Sequence, residues 1–595
     1  VLELVLRTAF DTQGLVTGLQ NRQLSNNASG TFISTIQLIR KGKNAMNVQV
    51  RWLLLVALSS LWATTAGAKD IVHDGEFNYL KAQHATQWTN EDAEIDRKLA
   101  DIRSQNGGKH PNILYILVDD VGFGDFGMRG LNYVRGTQTP NINKLAGDGV
   151  SLMRMYTEPS CTPTRVAFMT GRHPIRAGMG EVKVALVGEG LAKEEVTIAE
   201  VLSKAGYNTA HIGKWHMGDI EEAFPHNQGF DFAAFPVHQQ VQLALMTPDG
   251  DHASQLSGWY AGGNTDRFAI DERFKPFGLV TALEGHEGKA AHEVEMKPGE
   301  EWTQEKYNEM HERYQRQTLE QLRSLAAKDE PFFLQYWPLI PLNFVRSDRE
   351  QFKTANGGTA VESMQQLDGY VGEIMQEVDK LGIADNTIVV LMGDNGPFLF
   401  GFQSALGMND MIYRGGKTDT TEGGIRVNAF VRWPGVIDKG SYAGDMFHVS
   451  DLFTTFARIG GGMKYIPRDR VIDGIDQTAL LINGETHGRR DYVYVYGGFN
   501  LAAIVKQKYK MHMPAPGVPG AAAPVYDLMR DPREEKSLIS AALWSGASFQ
   551  DMVKRHMITM EKYPNLPIGT DKPYGGIDNL RPESKATVEN FQSWH

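Results

Sequence analysis

Five stretches of the chain are apolar almost without a break: NILYILVDD (112–120), NTAHIG (208–213), PFFLQYW (331–337), TIVVLMG (387–393) and NAFVRW (428–433). A strand with one wet face alternates apolar and polar residues, so a continuous run predicts a strand buried on both faces. Between these runs the apolar residues recur at helical spacing. EEVTIAEVLSKAG (194–206) does so and ends on Gly206, placed to be the glycine just past a helix end. VESMQQLDGYVGEIMQEVDKLG (361–382) sets Val361, Met364, Leu367, Val371, Ile374, Met375, Val378 and Leu381 on one face. Alternating buried strands and amphipathic helices predict an α/β fold, a large mixed, mostly parallel sheet with helices on both sides. Such sheets collect ligands at the carboxyl ends of their strands.

The pattern changes after about residue 440. YVYVYGG, LAAIVKQKYKMHM and APVYDLMRDPREEKSLI predict short antiparallel strands and then a closing helix. The expected organisation is a catalytic domain at 109–440 and a smaller C-terminal α+β domain at 441–595, with a Pro/Gly/Ala loop at 514–524. Residues 69–108 are polar and read as a surface segment. At 46–68, MNVQVRWLLLVALSSLWATTAGA has a basic residue, a short apolar core and an Ala-Gly-Ala exit, the pattern of a cleaved signal peptide. Its core is short for a membrane span of about 20 residues, so no stable membrane anchor is expected. Residues 1–45 carry no fold pattern and read as an upstream extension, one explanation being that translation starts at Met46. The expected location is therefore outside the cytoplasm, periplasmic or secreted.

Composition narrows the function classes. The formal net charge is −11, which disfavours nucleic acid as a partner, because a phosphate backbone needs a basic face. There is one cysteine in 595 residues, so no intrachain disulfide can staple an exported chain, and a large core must hold it. The lone thiol, Cys161, is kept for another reason or is inert.

Chemistry gathers where the strands are predicted to end. Asp119 and Asp120 close the first run, and Asp394 and Asn395 close the fourth. Four hard oxygen donors from two strand ends of one sheet suit Ca²⁺ or Mg²⁺. In SCTPTR (160–165), Pro163 favours the first turn of a helix, so Cys161 is expected at a helix N-terminus, where backbone N–H groups favour an anion. Arg165 lies one turn on. In GKWHMG (213–218), Lys214 and His216 alternate onto one side of an extended backbone, a fixed positive charge beside a group that titrates near neutrality. RGGKTDTTEGGIR (414–426) is a glycine-rich loop carrying Lys417. Taken singly, each feature also fits an ordinary role: a helix cap, an Asp-Asn-Gly turn, a buried inert thiol, a packed histidine, a solvated loop.

Together and in order, C-x-P-x-R with a following T-G-R, G-K-W-H-x-G, the Asp pair, D-N-G and G-G-K…E-G-G-x-R resemble the sulfatase (arylsulfatase-type) family of the alkaline-phosphatase-like superfamily. The resemblance runs from about Asn112 to Gly435, and KYKMHM…VYDLMRDPREEKSL is similar to the end of that family. It implies a sulfuric ester hydrolase acting on aryl or carbohydrate sulfates. It implies that a formylglycine-generating enzyme converts Cys161 to 3-oxoalanine (formylglycine). Asp119, Asp120, Asp394 and Asn395 would bind Ca²⁺, or Mg²⁺, with an oxygen of residue 161. Arg165 would fix the hydrated aldehyde, Lys214 and Lys417 would hold sulfate oxygens, Asp394 would accept the attacking hydroxyl's proton, and His216 would take the second proton.

One position departs from the family pattern. After PFFLQYW the family often carries a histidine that protonates the leaving oxygen, and here Leu342 and Asn343 stand there. An amide cannot deliver a proton, which leans the expectation toward phenolic or otherwise activated esters, unless His226 or His238 serves. A phosphonate monoester or phosphodiester hydrolase of the same superfamily, and a catalytically dead sulfated-glycan-binding protein, remain the alternatives.

Overall fold

A computed structural model describes residues 70–133, 136–183, 187–236, 282–294, 304–340, 350–352, 358–397, 412–514, 523–538 and 545–573, with positions 582 and 585. Residues 1–45, the 46–68 leader, His238, Leu342, Asn343 and most of the 514–524 loop lie outside the described residues. The described strands and helices all belong to one unit, Ile71–His595.

The strands in chain order are β1 (Asn112–Val118), β2 (Val150–Tyr156), β3 (Glu189–Gly190), β4 (Asn208–Gly213), β5 (Phe232–Pro236), β6 (Ala282–His286), β7 (His292–Glu293), β8 (Phe332–Trp337) and β9 (Thr387–Gly393). They continue with β10 (Arg426–Val427), β11 (Ala429–Arg432), β12 (Ser441–His448), β13 (Tyr492–Gly497), β14 (Asn500–Lys506), β15 (Tyr509–His512), β16 (Val525–Asp527) and β17 (Gly569–Thr570). The large sheet has 11 strands in the order β10-β2-β11-β9-β1-β8-β4-β5-β6-β7, with β12 beside β2. β1 runs parallel to β8 and β9, β4 runs parallel to β8 and β5, and β11 enters antiparallel between β9 and β2. The sheet is thus mixed with a parallel centre, as the apolar runs predict.

β1 shows why those runs are unbroken. Ile113, Tyr115 and Leu117 enter a core shared with Phe453 and Phe456 on one side of the sheet. Leu114, Ile116 and Val118 enter a second core on the other side, with Met364, Leu367, Val371, Ile374 and Val378. Those five lie on the helix Gly358–Lys380, on the expected face, and Met375 and Leu381 pack half-buried against the same core. The helix expected from 194 begins only at Ile198, because Thr197 and Glu200 form a reciprocal capping box. It ends as expected, with Gly206 in the left-handed region at φ +96°.

The small sheet is an antiparallel meander, β13-β14-β15-β16, followed by the helix Ser545–Lys562. Its strands follow β12, which starts at Ser441 and still belongs to the large sheet, and the helix Asp451–Ile459, which packs into the large core. The expected boundary at residue 440 therefore falls inside the large sheet. The polar segment 69–108 holds a 31-residue helix, Gly75–Gln105, capped by Asp74. Phe77, Leu80 and Trp88 pack on the small sheet's core, and Ile95 and Leu99 on the large one. No described helix is long and apolar enough to cross a membrane.

Candidate active site

Adjacent parallel strands end together, and this brings the four oxygen donors into one place. Val118 pairs with Gly393 at the last register position of β1 and β9, so Asp119 and Asp394 leave the sheet side by side. The Asp394 amide donates to the Val118 carbonyl at 2.9 Å. Asp120 takes a left-handed backbone, φ +52°, and its amide donates to Asp394 Oδ1 at 3.0 Å. An aspartate tolerates that conformation better than most residues. β4 ends on Gly213, where a Cβ would stand 2.0 Å from the Trp337 carbonyl oxygen, so only glycine lets β4 and β8 close at this end. Lys214 and His216 follow directly.

The helix Cys161–Thr170 begins on Cys161 itself, and every one of its residues is buried. One donor atom from each of Asp119, Asp120, Cys161 and Asp394 lies within 4.8 Å of the others. Arg165 Nη2 bridges Asp119 Oδ1 and Asp394 Oδ2, both at 2.9 Å, and its guanidinium lies 4.8 Å from the centre of the Trp337 ring. Lys214 Nζ donates to Asp119 Oδ1 at 2.7 Å. Lys417 Nζ donates to Asp120 Oδ2 at 2.8 Å, and Asn395 Nδ2 donates to Asp120 Oδ1 at 2.6 Å. His216, at φ +61°, lies with Nε2 2.9 Å from the Lys183 carbonyl. A carbonyl only accepts, so Nε2 carries the proton and Nδ1 is the basic nitrogen.

Three buried carboxylates and three buried cations oppose one another here, and they do not share the charge evenly. Burial works against ionising Asp119, but Lys214 and Arg165 outweigh it and hold its carboxyl well below the usual range. Burial raises Asp394 far above that range, reinforced by Asp119, and raises Asp120 as well despite Lys417. Burial also pushes the Cys161 thiol up, against the pull of Lys214 and Lys417. Among the described residues, the buried Asp119 Oδ2 and Asn395 Oδ1 have no hydrogen-bond partner. Two orphaned oxygens beside carboxylates that resist ionisation fit a hard divalent cation.

The structure thus links eight of the nine residues that the sequence motifs single out, Asp119, Asp120, Cys161, Arg165, Lys214, Asp394, Asn395 and Lys417, and places the ninth, His216, against the Lys183 carbonyl two residues past Lys214. His226 is not with them. It is buried against Gly285 of β6 near the sheet edge, and burial lowers its pKa to about 4, which makes it a poor acid at neutral pH. Two supports were not legible in the sequence. Trp337, the last residue of an apolar run, turns its ring under Arg165. Glu422, within the glycine-rich loop, holds that loop by accepting from Tyr156, Arg426 and Lys510. A close backbone contact completes the anchorage, since a Cβ on Gly396 would stand 1.7 Å from the Gly423 carbonyl oxygen.

The Sulfatase family model matches residues 111–462, more than half of the chain. This chain belongs to the sulfatase family. It is a sulfuric ester hydrolase with the alkaline-phosphatase-like fold of that family. The sulfatase is 29% identical to steryl-sulfatase from Rattus norvegicus over 543 residues, which covers 77% of this chain and 91% of the relative. It is 31% identical to arylsulfatase A from Homo sapiens, covering 72% and 83% of the two chains. It is 30% identical to N-acetylgalactosamine-6-sulfatase from Mus musculus, covering 68% and 72%. Among solved structures, the PsFucS1 sulfatase from Pseudoalteromonas sp. superposes with a TM-score of 0.72 at 27% identity, over 81% of this chain and 96% of that one.

Proposed function

We propose that this sulfatase is exported and hydrolyses sulfate monoesters of phenols or carbohydrates, using formylglycine made from Cys161 and a calcium ion at the strand ends. The observation that carries this is the place of Cys161, at the first position of a buried helix with its sulfur within 4.8 Å of ligand atoms of Asp119, Asp120 and Asp394. A buried thiol whose pKa is pushed up is a poor nucleophile, so an unmodified cysteine gives no reason for the surrounding machinery. Maturation by a formylglycine-generating enzyme would replace the thiol with an aldehyde.

Asp119, Asp120, Asp394 and Asn395 would hold the ion, and their all-oxygen set favours Ca²⁺, with Mg²⁺ the second choice. A bound divalent ion supplies polarisation of the ester and acidifies a neighbouring hydroxyl. With residue 161 as the hydrated aldehyde, one hydroxyl displaces the alcohol at sulfur, and loss of the other's proton lets the carbonyl re-form as sulfate leaves. Arg165, fixed between two carboxylates and the Trp337 ring, orients residue 161. Lys214 and Lys417 line the same pocket as fixed positive charges and stabilise the oxygens on which charge builds. Asp394, which leaves the sheet beside Asp119, accepts the attacking hydroxyl's proton, and His216 accepts the second through Nδ1. His226 is too weakly basic to be protonated near neutrality, which favours phenolic esters, whose leaving group has a pKa of about 10 and needs less acid assistance. Export rests on the 46–68 pattern.

The test joins two measurements on protein from its native host. The mass of the peptide containing Cys161 should be that of an aldehyde or its hydrate, and aryl sulfate should be cleaved in preference to the matching aryl phosphonate. Cys161→Ala should fold and lose turnover. Sulfate release by that variant, or by protein whose residue 161 is wholly thiol, would overturn the proposal.

A further inference from the structure

A second cluster of metal-ligating side chains lies away from the acidic site, at the ends of another parallel strand pair. β2 and β12 run together and His448, the last residue of β12, pairs with Tyr156, the last of β2. Glu158 comes two residues after Tyr156, in the connection to the Cys161 helix. His173 comes just past that helix, beyond the left-handed turn at Gly171. One donor atom each from Glu158, His173 and His448 lies within 4.8 Å of the other two, and all three side chains are buried. We propose that these three residues form a structural site for a divalent transition-metal ion, zinc by donor set, distinct from the calcium site and independent of its assignment.

The spacing carries the argument. His173 Nδ1 lies 2.9 Å from Glu158 Oε1. His448 Nε2 is fully buried and has no hydrogen-bond partner among the described residues. It stands 3.8 Å from the same Glu158 oxygen, too far for a hydrogen bond. Two donors on one zinc ion, at bond lengths of about 2.0–2.1 Å in tetrahedral geometry, stand about 3.4 Å apart, so a small shift seats an ion in the gap. The ring's other nitrogen, Nδ1, accepts from the Ser450 amide at 3.3 Å and lies 2.8 Å from Ser450 Oγ, so ligation through Nε2 moves the ring proton to Nδ1, where Ser450 Oγ accepts the hydrogen bond in place of that amide contact. The nearby guanidinium groups do not repel an ion unopposed: Arg176 is paired with Asp473 at 2.8 Å and Arg490 with Asp451 at 2.5 Å.

Two imidazoles and a carboxylate are zinc's donors, whereas calcium takes oxygen alone. A water would fill the fourth position. Binding to Glu158 and to His173 Nδ1 releases the proton held between them to solvent. With every ligand buried, the ion has no route to a substrate. It would tie the segments on both sides of the Cys161 helix to the end of β12.

The test uses the full chain, stripped with a chelator and then given excess Ca²⁺ to fill the acidic cluster, followed by Zn²⁺ or Co²⁺. After gel filtration the wild type should keep one zinc or cobalt ion per chain, and His448→Gln should keep none while retaining sulfatase activity. Cobalt in the wild type should show the strong visible bands of a low-coordinate, nitrogen-bound ion, which an all-oxygen octahedral site lacks. Zinc bound equally by wild type and His448→Gln, or no zinc in the wild type, overturns the proposal. Should His448→Gln fail to fold, the wild-type cobalt spectrum decides: absence of those bands overturns it.

Discussion

Replacing Lys417 by methionine separates catalysis from stability at this site. The ammonium group lies 2.8 Å from Asp120 Oδ2, with 6% of the lysine side chain exposed and none of the aspartate's. Breaking a buried pair by removing one partner costs about 3–5 kcal/mol when the other charge stays in place. Asp120 can escape part of that by taking up a proton, because burial already raises its pKa, so the lower end applies. At about 2 cal/mol/K per residue over roughly 500 residues, the unfolding entropy is about 1 kcal/mol/K, and 3 kcal/mol lowers the midpoint by about 3 °C. The variant should therefore be folded at 25 °C. Loss of one preorganised donor to a charged transition state costs about 10²–10³-fold in rate. The assay is kcat/KM on an aryl sulfate alongside thermal unfolding. A kcat/KM within about tenfold of wild type, under ~1.4 kcal/mol, would refute a role for Lys417 in charge stabilisation. A rate loss that merely tracks unfolding would make it a strut for Asp120.

Two further outcomes come from the same geometry. Removing calcium with EGTA should lower the midpoint and abolish turnover, and restoring Ca²⁺ to about 100 times its Kd should return about 2.7 kcal/mol; full activity and an unchanged midpoint after chelation would count against the oxygen site. Glu534 gives a pH signature: burial opposes its ionisation, but Lys510 and His512 outweigh it and hold the carboxyl down to about 2. Its folded pKa is depressed, so its contribution is complete above the unfolded value near 4.5 and is lost as pH falls from there toward 2. Glu534→Gln should cost stability at neutral pH and flatten the stability curve between 4.5 and 2; parallel curves for the two proteins would contradict the assignment.

The candidate site was more legible than the architecture around it. Asp119, Asp394 and Lys214 announce themselves because each follows a run of residues that can only be a buried strand, and such strands end at ligand sites. The long helix Gly75–Gln105 was not legible. Its buried residues Phe77, Leu80, Trp88, Ile95 and Leu99 are too sparse among polar neighbours to mark a face. β12 escaped for a related reason: in SYAGDMFH only the last three residues are all buried, so half the strand reads as loop. That is why a boundary drawn at residue 440 cuts a sheet.

By itself the sequence determined local things: which segments must be covered on both faces, where Gly206 ends a helix, and which residue types stand at strand ends. These depend on spacing along the chain, and spacing is a property of sequence. Only the tertiary structure decided which ends meet. Arg165 bridging Asp119 and Asp394, Lys417 reaching Asp120 from almost 300 positions away, and the gathering of Glu158, His173 and His448 all depend on the register of parallel strands joined by long crossovers. The charge state of each group is decided there too. Burial raises Asp394 and the thiol of Cys161 while two cations lower Asp119, and no reading of composition can tell one buried aspartate from the next.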